Sequence, residues 1–198
     1  EDPHVMATPR LENYARQSVF DALAALFIRP DAAGVLERWA DAVKVTAALA
    51  GEVGIPTATL DALREKPLPT AESVQTEYET LFGEEGPVSL LESDWPKTCD
   101  DPRATCRLEY LKADLAVTDE LGVPEDHLGM LCGFMAVLLL RENPDAAERF
   151  FDRHPGKWLP ALVDAIRNRP EAVFFRDAAT LLETICEIEA SLREAKNY

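Results

Sequence analysis

The sequence predicts an all-α fold, a single globular helical bundle of about nine helices with a long loop at 83–101. Apolar residues recur at three- and four-residue steps along most of the chain, the period of an amphipathic helix. Prolines and glycines stand at the ends of those runs, where helices stop. No stretch alternates apolar and polar residues between turn signals, so none reads as a strand.

Each element follows from its own pattern. Leu11, Tyr14, Val19, Leu23, Leu26 and Phe27 share a face between Pro9 and Pro30 and predict a helix over 10–27. Val35, Leu36, Trp39, Val43 and Leu49 predict a second over 31–53. A short third follows Pro56 and stops before Pro67 and Pro69, because a residue that precedes proline avoids the helical region. Thr70 is suited to cap a fourth, whose stripe of Val74, Tyr78, Leu81 and Phe82 ends at Gly83. Asp100 and Asp101 precede Pro102, an N-cap followed by proline at the first helical position. Leu108, Leu111, Leu115 and Val117 carry that helix on to Leu121. A helix over 125–141 comes next, Pro144 opens a short one, Pro160 a further one, and 171–195 forms the last.

The 125–141 helix stands apart. From Leu128 to Leu140 no residue is charged, yet the run is shorter than the roughly 20 residues that cross a bilayer. It is expected at the centre of the bundle. Gly129 and Gly133 each cost about 1 kcal/mol relative to alanine in a helix, which implies that a neighbouring backbone comes close.

Composition bounds the function. The chain of 198 residues is 47% hydrophobic and 28% charged, an ordinary globular balance. It reads as one domain over 6–198, with Met6 as a natural start and residues 1–5 as an added leader. Twenty Lys and Arg against 36 Asp and Glu leave a net charge of -16, which argues against nucleic acid and for a surface that is simply solvated or that draws cations, and the short apolar run argues against membrane insertion. Cys99, Cys106, Cys132 and Cys186 include no C-x-x-C pair, so the expectation is reduced thiols in a cytoplasmic protein and no metal site.

Three stretches could carry chemistry. Asp126 and His127 stand at the mouth of the apolar helix, but no G-x-S-x-G, H-E-x-x-H or Walker loop supplies a nucleophile, metal or phosphate cradle. No catalytic residue is assigned. As a bland alternative, Asp126 caps the helix and His127 is its half-buried partner. The loop GEEGPVSLLESDW over 83–95 combines Leu90, Leu91 and Trp95 with Glu84, Glu85, Glu92 and Asp94, a composition that suits a cationic peptide with an apolar stretch. In FFDRHPGKWLP over 150–160, Phe150, Phe151, His154 and Trp158 read as core aromatics.

Together these stretches resemble the TorD/DmsD/NarJ family of cytoplasmic chaperones that mature molybdenum-containing redox enzymes of anaerobic respiration. The resemblance runs from about Arg16 to Glu189. VFDALAALFIRP is similar to the family's first helix, with Phe20 where relatives often have tyrosine. Tyr78, Leu81, Phe82, Gly83, Gly86, Pro87, Glu92, Ser93 and Trp95 follow a Y-x-x-L-F helix end, a loop with G and P, and an E-S-x-aromatic motif. PEDHLGMLCGFM is similar to the D-H-L motif, and His154, Trp158 and Pro160 fit H-x-x-x-W-x-P.

The resemblance implies an all-α binding protein without catalysis or a cofactor of its own. Its partner would be a molybdopterin-containing oxidoreductase subunit, bound through its N-terminal twin-arginine signal peptide or a vestige of one until the cofactor is inserted. It would act as a monomer or homodimer. A peptide-binding set of Phe20, Leu90, Glu92, Ser93, Trp95, Asp126 and His127 follows. Asp126 and Glu92 would meet the arginines, with His127 orienting the acid and Trp95 lining an apolar groove. The other readings are a hydrolase or nucleotide-dependent enzyme using Asp126 and His127, and an acidic helical adaptor for a folded partner.

Overall fold

A computed structural model describes residues 7–96 and 98–196, with side chains described from Leu11 onward, that of Asp119 apart. The expected leader at 1–5 and Met6 lie outside the described residues. Nine α-helices and two 3-10 turns succeed one another, and no strand is present among the described residues. They are α1 (Ala7–Ile28), α2 (Val35–Glu52), α3 (Ala58–Arg64), α4 (Ala71–Phe82), α5 (Pro102–Lys112), α6 (Leu128–Leu140), α7 (Pro144–Arg153), α8 (Pro155–Arg167) and α9 (Phe174–Lys196).

The caps lie where the residue types demand them. Thr70 accepts from the Ser73 amide at 3.1 Å, Asp101 from that of Ala104 at 3.0 Å, and Asn143 from that of Ala146 at 3.3 Å. Each satisfies one N–H that its helix leaves unpaired. The α9 start is capped from a distance: the Glu77 carboxylate on α4 accepts from the amides of Val173, Phe174 and Phe175 at 2.8, 3.1 and 2.8 Å. At the other end of α9, buried Glu189 takes a two-pronged pair of hydrogen bonds from Arg16 on α1, at 2.8 and 2.6 Å.

Helix α6 is buried along nearly its whole circumference. It packs most extensively on α1 and also against α7. At Gly129 a Cβ would stand 2.3 Å from Ile28 Cγ1 and 3.2 Å from the Ala24 carbonyl oxygen, so this glycine is what lets α1 lie against α6. At Gly133 the nearest atom, Ala24 Cβ, is 3.8 Å away, an ordinary contact. Of the two glycines, only Gly129 is required by packing.

Most helix ends fall within a few residues of expectation, and two boundaries differ by more. Helix α5 ends at Lys112 rather than Leu121. Asp114 takes a left-handed backbone with φ 56°, and the Leu115 amide turns back to the Tyr110 carbonyl at 2.9 Å, a closure that satisfies carbonyls the helix would otherwise leave unpaired. Leu108 and Leu111 are therefore exposed, while Cys106 and Tyr110 face the core. Helix α8 begins at Pro155, directly after His154, so Pro160 lies inside it.

The two glycines give a paired test. Gly129→Ala should lower stability by about 1–3 kcal/mol through overpacking. Gly133→Ala should be neutral or gain up to about 1 kcal/mol from helix propensity. Urea unfolding of the two variants beside the parent checks both; equal effects would mean that Gly129 does not set the α1–α6 distance.

Candidate functional site

The start of α6 lies inside the protein, and the 88–95 loop closes over it. Leu128 donates its amide to the Leu90 carbonyl at 2.8 Å, and Glu92 donates to the Asp126 carbonyl at 3.1 Å. Between them Leu91 and His127 form an isolated antiparallel bridge. Asp126 Oδ2 then accepts from the Ser93 amide at 2.9 Å, and residues 92–94 turn as a 3-10 helix. Trp95 folds back so that its indole N–H donates to the Ser89 carbonyl at 3.1 Å.

This junction unites Leu90, Glu92, Ser93, Trp95, Asp126 and His127, six of the seven residues the sequence singles out. Phe20 belongs to the core, 1% exposed, with its ring edge-to-face on Phe151. Ser93 is exposed and Trp95 partly so. Asp126 and Glu92, at 1% and 0% exposure, have no solvent-facing surface in this conformation. Where the resemblance has Asp126 meet an arginine, its carboxylate here serves the loop backbone instead. The helix cap is His127, whose Nδ1 accepts from the Gly129 amide at 3.0 Å. That bond requires a neutral ring. Burial pulls the His127 pKa down to about 4, against the opposing charge of Asp126.

Glu92 has a partner that its position in the chain does not suggest. Both its oxygens lie 3.1 Å from Nδ1 of His154, at the α7–α8 junction. Cys106 Sγ approaches the same nitrogen at 3.5 Å. Phe150, Phe151 and Trp158 are core residues as expected, and Trp95 stacks on Trp158 with centroids 6.0 Å apart.

Sequence reasoning missed the surface beside this junction. An apolar groove of about 250 Å³ runs along α6, lined by Ala24, Leu115, Val117, Met130, Gly133 and Val137. Met130, Gly133 and Val137 are the α6 positions left partly uncovered, and exposed Leu140 extends their stripe. Across Leu115, Ala116 and Val117 the groove adjoins a second hollow of about 450 Å³, lined by Arg103, Arg107, Tyr110, Thr118, Pro124 and Glu125. Buried Glu125 accepts from Arg103 Nε at 2.6 Å and Arg107 Nε at 2.7 Å, while the Tyr110 hydroxyl donates to its backbone carbonyl at 2.6 Å. Burial pushes the Glu125 pKa up, but its own amide and the two guanidinium groups outweigh this and bring it down to about 2. The available signal was the i,i+4 spacing of Arg103 and Arg107, which puts both on one helix face.

The described residues thus form a helical bundle with an apolar groove beside a hydrogen-bonded loop junction. Residues 46–164 match the family described as nitrate reductase delta subunit, which covers more than half the chain, and the chain belongs to that family. It is a family of chaperones that mature molybdenum enzymes rather than of catalysts. The matched segment contains the whole loop junction, the hollow around Glu125 and most of the groove lining. A search of curated proteins found no match. Among the described residues no helix is long and apolar enough to cross a membrane.

The neutral cap has a pH signature. His127 has its pKa lowered in the fold from 6.5 to about 4, so the unfolded chain binds more protons between those values. The stability this residue contributes is complete above about pH 6.5 and is lost as pH falls toward 4. From pH 7 to pH 5 the loss should be about 1–2 kcal/mol. His127→Asn keeps a capping oxygen and should remove this component. Urea midpoints at both pH values decide: an equal pH response in parent and variant would rule the neutral cap out.

Proposed function

We propose that this protein is a client-specific chaperone that holds the apo form of a molybdopterin-containing oxidoreductase subunit through its N-terminal signal peptide, or the vestige of one. The groove between α1, α6 and the 113–121 segment receives the apolar part of that peptide. The uncovered stripe on α6 carries this reading. An apolar helix whose other faces are packed leaves Met130, Gly133 and Val137 open beside Leu115 and Val117, and an apolar groove with a polar rim is what an extended or helical apolar segment needs.

The arginines of such a peptide are met at the rim. Asp114 and Glu120 are exposed beside the groove-lining residues, within a chain of net charge -16 that draws in cationic partners. Asp126 and His127 contribute by positioning, because they hold the loop that presents Ser93 and Trp95. Glu92 acts likewise through His154. Exposed Leu108 and Leu111 on α5 widen the apolar surface available to the client. The chain is proposed to act in the cytoplasm before the client is exported, without a catalytic step.

The test uses a synthetic peptide with two consecutive arginines followed by an apolar stretch, titrated calorimetrically into the purified chain. Binding should weaken as salt is raised, since the rim charges are screened. The double variant Leu115→Glu/Val117→Glu should reduce affinity by about tenfold or more at unchanged helicity, the loss of roughly 1.4 kcal/mol or more typical of an interface anchor. Binding that is equal in parent and double variant would refute the groove, and absence of binding to both would refute the peptide reading.

A further inference from the structure

We propose that Glu92, Cys99, Cys106 and His154 form a binding site for a divalent transition metal of the zinc type. The residues come from the 3-10 turn, the loop after it, α5 and the α7–α8 junction, so no short sequence spacing unites them. The fold does. A carboxylate oxygen of Glu92, Sγ of Cys99 and a ring nitrogen of His154 all lie within 4.8 Å of one another. Cys106 adds a fourth donor, its Sγ 3.5 Å from His154 Nδ1, and both Glu92 oxygens are 3.1 Å from the same nitrogen.

These separations suit tetrahedral coordination. Bonds of about 2.3 Å to sulfur and about 2.0–2.2 Å to nitrogen and oxygen place neighbouring donors about 3.3–3.8 Å apart. The Glu92–His154 and Cys106–His154 separations stand at or just below that range; Cys99 lies within 4.8 Å of Glu92 and His154, and the two thiols must draw in around the metal to complete the set. A mixed sulfur, nitrogen and oxygen donor set selects zinc and its first-row neighbours over calcium or magnesium.

The balance of charge points the same way. Glu92 is wholly buried and Asp126 is 1% exposed, and two thiols stand beside them. Among the described residues the only basic side chain hydrogen-bonded to Glu92 is the His154 imidazole. Arg103 and Arg107 are committed to Glu125. The site thus gathers several electron-pair donors around one imidazole, an arrangement that a metal dication completes. His154 Nε2 has no hydrogen-bond partner, so with the metal on Nδ1 the ring proton resides on Nε2. Each thiol that coordinates releases its proton to solvent.

Access and consequence follow from burial. Cys106 and His154 are buried, whereas Cys99 is only partly so, which makes the Cys99 side the entry. Cys99 now donates weakly to the Thr105 hydroxyl at 3.7 Å, a contact easily given up. A bound metal would pin the loop after Trp95 to α5 and to the α7–α8 junction, fixing the lid over the start of α6. This site does not depend on the client reading, since it is measured on the free chain.

The experiment strips the full chain with a chelator, then titrates it with Co²⁺ and, separately, with Zn²⁺ against a competing chromophoric chelator. The expected result is about one equivalent of either metal, with a thiolate-to-cobalt charge-transfer band and the intense visible bands of tetrahedral Co²⁺. Cys99→Ser, the variant least able to disturb the core, should weaken binding by about tenfold or more and diminish the charge-transfer band at unchanged helicity. Cys106→Ser should do the same, and Cys186→Ser, outside the cluster, should change neither. Less than stoichiometric binding by the parent, or a charge-transfer band that survives both Cys99→Ser and Cys106→Ser, would overturn the proposal.

Discussion

The N-terminus of α6 is buried, and its first N–H groups must find acceptors without water. An unmet buried amide costs about 1–3 kcal/mol, so a helix with no polar side chain of its own could not begin there unaided. Two neighbours provide the acceptors, the His127 ring for Gly129 and the Leu90 carbonyl for Leu128. Much else follows from that demand. Leu90 must stand beside Leu128, so the 88–95 loop must cross the helix start, and Asp126 must face the turn at Ser93. The long loop is therefore held by backbone hydrogen bonds, with buried Val88 and Leu90 as its apolar anchors.

This explains why the acids most conspicuous in the sequence are not the ones on the surface. Asp126 beside an apolar helix reads equally as a cap or as a receptor for a cation. Its burial follows from tertiary placement, since the Ser93 amide that it meets is remote in the chain. Glu92 is a sharper instance. Its partner His154 lies on the far side of three helices in sequence, and no periodicity or motif could pair them.

Local pattern made the helices legible because most of their information is local. Prolines after Asp101 and Asn143, threonine before α4, and three- and four-residue apolar steps each act within a turn or two. Where it failed, the competing effect was also local but less conspicuous. Leu108, Leu111 and Leu115 keep helical spacing, yet Asp114 tolerates the left-handed conformation and ends α5. The segment through Val117 then lies against α6 as a groove wall. The groove itself was hidden because a helix apolar on every side predicts complete burial, and only packing reveals which side is left open. Gly129 and Gly133 look alike in sequence and both border the groove, but only Gly129 is crowded by Ile28.

The open groove and the closed cluster both border the buried face of α5, through Tyr110 and Cys106 respectively. Helix α5 presents Cys106 and Tyr110, one turn apart on its buried face, to His154 and to Phe134 of α6 respectively. Its exposed face carries Arg103 and Arg107 to Glu125, just ahead of the Asp126–His127 junction. A disturbance at the cluster therefore reaches the loop through Glu92 and the hollow through α5, both by packed or hydrogen-bonded contacts. A helical bundle transmits such a change as a shift of a rigid element rather than as a diffuse deformation. Helix α5 is thus the element that touches both the buried donors and the apolar groove.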